Sequence, residues 1–302
     1  MIKLKLQNVI IVQKRMVIIM KVIGIDPAPS KKTVIYNDID GFTEIEADKL
    51  KKYLDDEFKN SEEDILICWD APLTGGKPIN FNQKIEKYNP FYQRKIEQLI
   101  NATVQVKGIS TMGYAGCPHW SITQYCLGLP QIFQPEVPQS NLPFQLITEQ
   151  LTIKQKKSLK GKYVIEVHPA LALWLWLKEN NKAKTEFDWD YKENKETFNI
   201  LVRQLLDKFE KPQAVTESTN QANAKYKVEV TVIKDENESV KEKTMTDDHL
   251  DAYIAWLLGT LWLKIENEVL LVGNKNTGAM LLPTDKKEEV SKKWQSELEE
   301  YK

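Results

Sequence analysis

The chain has 302 residues, of which 42% are hydrophobic and 28% charged, an ordinary globular composition that excludes a disulfide-stapled miniature, a collagen-like repeat and a wholly disordered chain. Its 42 Lys and Arg almost balance 43 Asp and Glu, for a formal net charge of -1. A polyanion would therefore have to be held by a local basic patch or through bound metal. Three cysteines, Cys68, Cys117 and Cys126, cannot all pair and form no C-x-x-C motif, which points to a reducing, cytoplasmic setting.

Residues 1–19 are apolar but interrupted by Lys3, Lys5, Lys14 and Arg15. The uncharged run 6–13 is too short to span a bilayer, no small-residue cleavage site follows it, and no membrane association is expected. This N-terminal extension is either an extra strand or lies upstream of a natural start at Met20. Residues 22–25 are a β-branched run that reads as a strand buried on both faces and closed by Asp26. Strands are expected over 33–36 and 42–45, joined by a hairpin turn at 38–41. An amphipathic helix over 47–58 presents Leu50, Tyr53, Leu54 and Phe58 on one side. A second buried strand, 65–69, closes on Asp70, and Pro72, Gly75, Gly76 and Pro78 then make a loop.

A helix is expected over 90–102, with Pro90 in its first turn. Residues 108–143 look irregular. A third buried strand, 163–167, carries Glu166 and ends at His168-Pro169, and Pro169 opens an apolar helix that runs through Leu177. Residues 206–246 read as a polar surface excursion holding one hairpin around 226–233. Thr246 or Asp247 can cap a helix over 248–264. A last hairpin joins 268–272 to 279–282, and 286–302 is a charged, solvated helix. The sum is an α/β sheet covered on both faces, with sites expected at the carboxyl ends of its strands.

Those strand ends carry the acids. Asp26 and Asp70 close two buried strands, and Glu166 lies in a third. Asp248 and Asp251 share a face at the start of a helix that is almost wholly apolar from Ala252 onward. Each alone has a plain structural reading, as a turn former or a helix-dipole partner. Asp251 is too far into its helix to be a cap. Several buried carboxylates repel one another and resist desolvation. A divalent cation is the compact remedy, and oxygen-only ligands favour Mg²⁺ or Mn²⁺.

Gly24-Ile25-Asp26-Pro27, Trp69-Asp70-Ala71-Pro72-Leu73, Glu166-Val167-His168-Pro169 and Asp247-Asp248-His249-Leu250-Asp251-Ala252 occur in that order. Together they resemble the domain-of-unknown-function family described as predicted ribonuclease H-like nucleases. The D-x-x-D-A helix motif is similar to that of Holliday-junction resolvases of the same superfamily. The resemblance spans about residues 20–285, with large insertions at about 74–160 and 180–245. It implies a ribonuclease H-like α/β fold: a mixed five-stranded sheet whose first three strands form an antiparallel meander, with helices on both faces. It implies Asp26, Asp70, Asp248 and Asp251 as metal ligands and Glu166 as a further ligand or a support for one. The expected function is a nuclease using two Mg²⁺ or Mn²⁺ ions about 3.5–4 Å apart, with Asp26 bridging them. The alternative is a binding or scaffold protein that keeps the fold without turnover.

His168 and Asp247 are candidate supports for the ligands. His168 could orient a carboxylate or shuttle a proton, or simply precede the helix at Pro169. His249 is expected to point elsewhere. Cys117, His119 and Cys126 fit no standard zinc spacing and lack a fourth ligand. Lys154, Lys156, Lys157, Lys160 and Lys162 form a basic run that could meet phosphates of a nucleic acid or stay solvated. Tyr88, Phe91, Tyr92, Arg94, Lys95, Tyr114 and Trp120 could form a base-stacking platform or an ordinary aromatic core. Phosphate-loop and dinucleotide motifs are absent.

Overall fold

The computed structural model describes residues 20–59, 61–74, 94–104, 106–109, 119–127, 144–177, 189–209, 211–218, 225–234, 237–264, 268–284 and 288–299. The β-branched runs form strands where expected. β1 (Lys21–Asp26), β2 (Lys32–Asn37) and β3 (Gly41–Glu46) make an antiparallel meander in which Asp26 stands opposite Val34. The helix after β3 is α1 (Ala47–Leu54), which passes into a π-helical turn at 55–59 and buries Leu50, Leu54 and Phe58. β4 (Ile65–Trp69) then runs parallel to β1.

α2 (Lys95–Thr103) begins later than expected, with Arg94 at its cap; Pro90 lies outside the described residues. α3 (His119–Leu127), β5 (Gln145–Leu146) and α4 (Ile153–Lys157) lead to β6 (Lys162–Glu166), which is parallel to β4 and to β5. α5 (Pro169–Trp176) is buried all round, as a helix with no polar face must be. α6 (Lys195–Lys208) is an amphipathic helix capped by Asn194, and it falls in a stretch expected to be an insertion.

The polar excursion is the largest departure. It is β-structure joined to the main sheet: β7 (Val215–Ser218), β8 (Lys225–Lys234) and β9 (Asn237–Thr244). β8 runs parallel to β3, with Phe42 opposite Val230, and pairs antiparallel with β7 and β9. Tyr226, Val228, Val230 and Val232 are buried on one face of β8, with charged or polar residues between them. That period-two burial turns a polar-looking segment into a half-buried strand. Among the described residues the sheet consequently has nine strands rather than five, in the order β5-β6-β4-β1-β2-β3-β8-β7 with β9 also on β8. β9 is exposed and rich in Lys and Glu, a composition that guards a sheet edge against stray pairing.

α7 (Asp247–Lys264), β10 (Val269–Asn274), β11 (Gly278–Pro283) and α8 (Glu288–Glu299) complete the chain. β10 and β11 form a separate two-stranded sheet, bridged to the main one where Val167 meets Leu281. α8 is less solvated than its charge suggested. It buries Trp294 and Leu298, and Trp294 Nε1 donates to Thr103 Oγ1 at 3.1 Å.

Helices cover both faces. One layer packs α5 and α7 against Val22, Val34, Leu66, Cys68 and Ile165; the other packs α1 and α3 against Ile23, Ile25, Ile67, Trp69 and Val164. Gly24 lets α7 lie almost on β1: a Cβ there would fall 2.1 Å from the Ala252 carbonyl oxygen. Gly259 does the same further along, where a Cβ would meet Cys68 Sγ at 2.2 Å. This close seating sets the height of the α7 first turn above the strand ends. Among the described residues, no helix is long and apolar enough to cross a membrane. Cys68 and Cys126 are free and buried.

Candidate functional site

β1 and β4 lie side by side and parallel, so their carboxyl ends emerge together. Asp26 is the last residue of β1, and Asp70 follows β4, its amide donating to the Ile25 carbonyl at 3.0 Å. Strand alternation puts Asp26 on the face of Val22 and Gly24, toward α7. From above, α7 supplies Asp251, which is fully buried, while Asp248 stays at the rim, where Lys31 Nζ lies 3.5 Å from its carboxylate. Asp26, Asp70 and Asp251 therefore converge from two strand ends and one helix.

Their electrostatics report the crowding. Burial pushes the Asp26 carboxyl well above the usual carboxylate range, and the charges of Asp251, Asp70 and Asp248 push it further. Asp70 is raised likewise, by burial first and then by Asp251. Among the described residues Lys192 opposes this: its Nζ stands 2.9 Å from Asp251 Oδ2, in ion-pair contact that does not meet hydrogen-bond geometry. The other oxygen, Asp251 Oδ1, accepts from the Tyr191 hydroxyl at 2.5 Å. Burial and the Asp251 charge hold that phenol well above its ordinary range, so it remains a donor. Among the described residues, no three His, Cys, Asp or Glu side chains stand in a metal-holding group.

Glu166 is placed differently. It is in register with Trp69, whose ring faces the α1 and α3 layer and donates to Thr123. Its Oε1 accepts from Arg94 Nη2 at 2.5 Å, and its Oε2 accepts from Arg94 Nη1 and the Leu73 amide, each at 2.7 Å. Both oxygens are thus satisfied by protein donors, although the charge is felt at Asp70. Arg94 also donates to Glu97 and to the Thr74 carbonyl. The cluster clamps residues 73 and 74, the loop immediately after Asp70.

His168 occupies the cap position of α5, where its carbonyl accepts from the Ala172 amide. Asp247 is in the first turn of α7, where the helix dipole favours a negative charge. His249 turns toward β3: its Nδ1 is 2.6 Å from Thr246 Oγ1 and its Nε2 is 3.4 Å from Glu44 Oε1. Cys117 and the side chain of His119 lie outside the described residues, and burial pushes the Cys126 thiol up to about 12.

The basic run does not gather at the acids. It sits at the amino end of β6, opposite the strand ends that carry the acids, and three of its lysines are committed internally. Lys156 Nζ donates to the Trp262 carbonyl, Lys160 pairs with Asp64, and Lys162 donates to the Ser61 carbonyl. Of the aromatic and basic set, Tyr88, Phe91, Tyr92, Tyr114 and the Trp120 side chain lie outside the described residues, while Arg94 is buried in the glutamate cluster.

Sequence reasoning missed Tyr191 and Lys192. The one local signal was Trp189-Asp190-Tyr191, two large aromatics in an otherwise polar stretch, which are both buried. Compared with family models, curated proteins and solved structures, the chain matches none of them.

Proposed function

We propose that the chain is a ribonuclease H-like, metal-dependent phosphodiester hydrolase, a nuclease acting on nucleic acid with two divalent ions. The observation that carries the reading is the convergence of Asp26, Asp70 and Asp251, three mutually repelling carboxylates that one half-exposed lysine balances only in part. The strand order β3-β2-β1-β4-β6 within the larger sheet supports the fold type, since an antiparallel meander is followed there by two parallel strands. Acids at the ends of its first and fourth strands and on a late helix match the pattern that the sequence resemblance implies.

The donor set suits Mg²⁺ or Mn²⁺, because the candidate ligands Asp26, Asp70, Asp248 and Asp251 are all carboxylates. Asp26, Asp70, Asp248 and Asp251 would hold the ions, which would supply Lewis acidity toward water and phosphodiester oxygens. Tyr191 fixes the rotamer of Asp251 through Oδ1. The Arg94–Glu166 clamp fixes the loop after Asp70. Asp26 feels the charges of Asp251, Asp70 and Asp248.

Single-stranded, duplex, hybrid and branched oligonucleotides incubated with Mn²⁺ test the reading. Cleavage by the wild type should vanish in the Asp26→Asn, Asp251→Asn double variant; cleavage that survives overturns the assignment. A second reading, a scaffold without turnover, is favoured by Lys192, whose ammonium already supplies positive charge at Asp251. On that reading no substrate is cut although the chain is folded.

A further inference from the structure

The turn that carries Lys192 is fastened on several sides. Trp189 and Tyr191 are buried, and Lys107 Nζ lies 3.5 Å from the Asp190 carboxylate. Gly108, at φ +87°, lets the backbone of 189–190 press against it, since a Cβ there would fall 2.3 Å from the Asp190 amide nitrogen. A side chain larger than hydrogen would push the turn away. Asn194 then caps α6 directly behind it, accepting from the amides of Glu196 and Thr197. The backbone of Lys192 is thus presented to the acids by a built support.

The side chain itself is different in kind from its support. It is 49% exposed, whereas the Asp251 carboxylate that it contacts is 1% exposed. Tyr191 occupies Oδ1, so Oδ2 is the oxygen that Asp251 has left to offer, and Lys192 stands on it. Any divalent cation using that oxygen would sit within a few ångströms of the ammonium. Two positive charges so placed, beside a partly buried site, repel strongly. Lysine carries its charge on a long flexible stem and can swing toward solvent once the ion takes its place.

We infer that Lys192 is the resident counter-ion of the acidic site and competes with the divalent cation for Asp251. The inference rests on the metal site proposed above. Lys192 holds the carboxylates together in the metal-free protein and yields Oδ2 when the ion arrives, so it lowers the affinity that the acids alone would give. It is a positioning residue, acting through Asp251.

Calorimetric titration of the full chain with MnCl₂ tests this, comparing the wild type with Lys192→Met and Lys192→Arg, with folding checked by circular dichroism. Removing the competing charge should tighten Mn²⁺ binding about tenfold in Lys192→Met, while Lys192→Arg keeps the wild-type affinity. Binding seen only in Lys192→Met supports the inference in its strongest form. Equal or weaker binding by Lys192→Met, with the wild type binding, overturns the inference and leaves the metal site standing. Binding by neither protein overturns the metal site and this role with it. If Lys192→Met does not fold, Lys192→Gln, which is polar but uncharged, takes its place with the same outcomes.

Discussion

Replacing Arg94 by Met is the sharpest perturbation of the scaffold behind the site. The guanidinium is 1% exposed, and Glu97 and Glu166 are 1% and 3% exposed. Arg94 reaches Glu97 Oε1 through Nε at 2.8 Å and through Nη2 at 2.7 Å, Glu166 through both terminal nitrogens, and the Thr74 carbonyl at 2.7 Å. Methionine fills much of the volume but leaves two buried carboxylates without their cation. Breaking a buried pair by removing one partner costs about 3–5 kcal/mol, mostly as the penalty of the orphaned charge. Arg94→Met should therefore lose about 4 kcal/mol in urea unfolding at pH 7. Arg94→Lys should recover only part of it, since an ammonium cannot reproduce the fork. Adding Glu97→Gln and Glu166→Gln to Arg94→Met should restore most of the loss, because the orphaned charges are gone. A loss below about 1 kcal/mol in the single variant, the size expected of an exposed pair, would refute the reasoning, and so would a triple variant no more stable than the single one.

Four further outcomes are expected. Asp70 has its carboxyl pushed up by burial and by Asp251, so its ionised form costs stability; metal-free protein should lose stability as pH rises from the ordinary carboxylate range, and Asp70→Asn should flatten that fall and gain about 1 kcal/mol at neutral pH in EDTA. Glu44 is held down at about 2, first by the His249 imidazole, whose Nε2 lies 3.4 Å away, and then, against the opposing pull of burial, by Lys243; its contribution is present above the ordinary glutamate range and lost as pH falls toward about 2, so Glu44→Gln should cost about 1 kcal/mol at pH 7, once solvent screening of the pair is allowed for, and almost nothing at pH 2. Gly24→Ala drives a methyl into the α7 backbone and should cost more than about 3 kcal/mol in chemical unfolding. In the same Gly24 variant any Mn²⁺ binding should weaken, because the helix that carries Asp251 must shift.

The parts of the fold legible in sequence were those whose pattern is local. β1 and β4 are buried on both faces, so they appear as apolar runs, β6 shows the shorter run Tyr163-Val164-Ile165, and α7 declares itself by an apolar stretch opened by acids. The place of β8 in the main sheet was hidden because only alternate residues, Tyr226, Val228, Val230 and Val232, are buried, and the lysine, glutamate and threonine between them made the segment look solvated. The strand ends point to Asp26 and Asp70, and the acidic opening of the apolar helix α7 points to Asp251. The partners of Glu166 could not be anticipated, because they depend on β6 pairing in register with β4, which sets Glu166 beside Trp69 rather than beside Cys68. Tyr191 and Lys192 lie 60 and 59 residues before Asp251 in the chain, and nothing local says that their turn folds back over it.

A Mn²⁺ titration followed by electron paramagnetic resonance, which separates free from bound ion, tests the central claim most directly. Wild-type protein should take up Mn²⁺ saturably, and both Asp26→Asn and Asp251→Asn, folded by circular dichroism, should lose that uptake. A wild type that leaves all the Mn²⁺ free, or variants that bind it undiminished, would contradict the account.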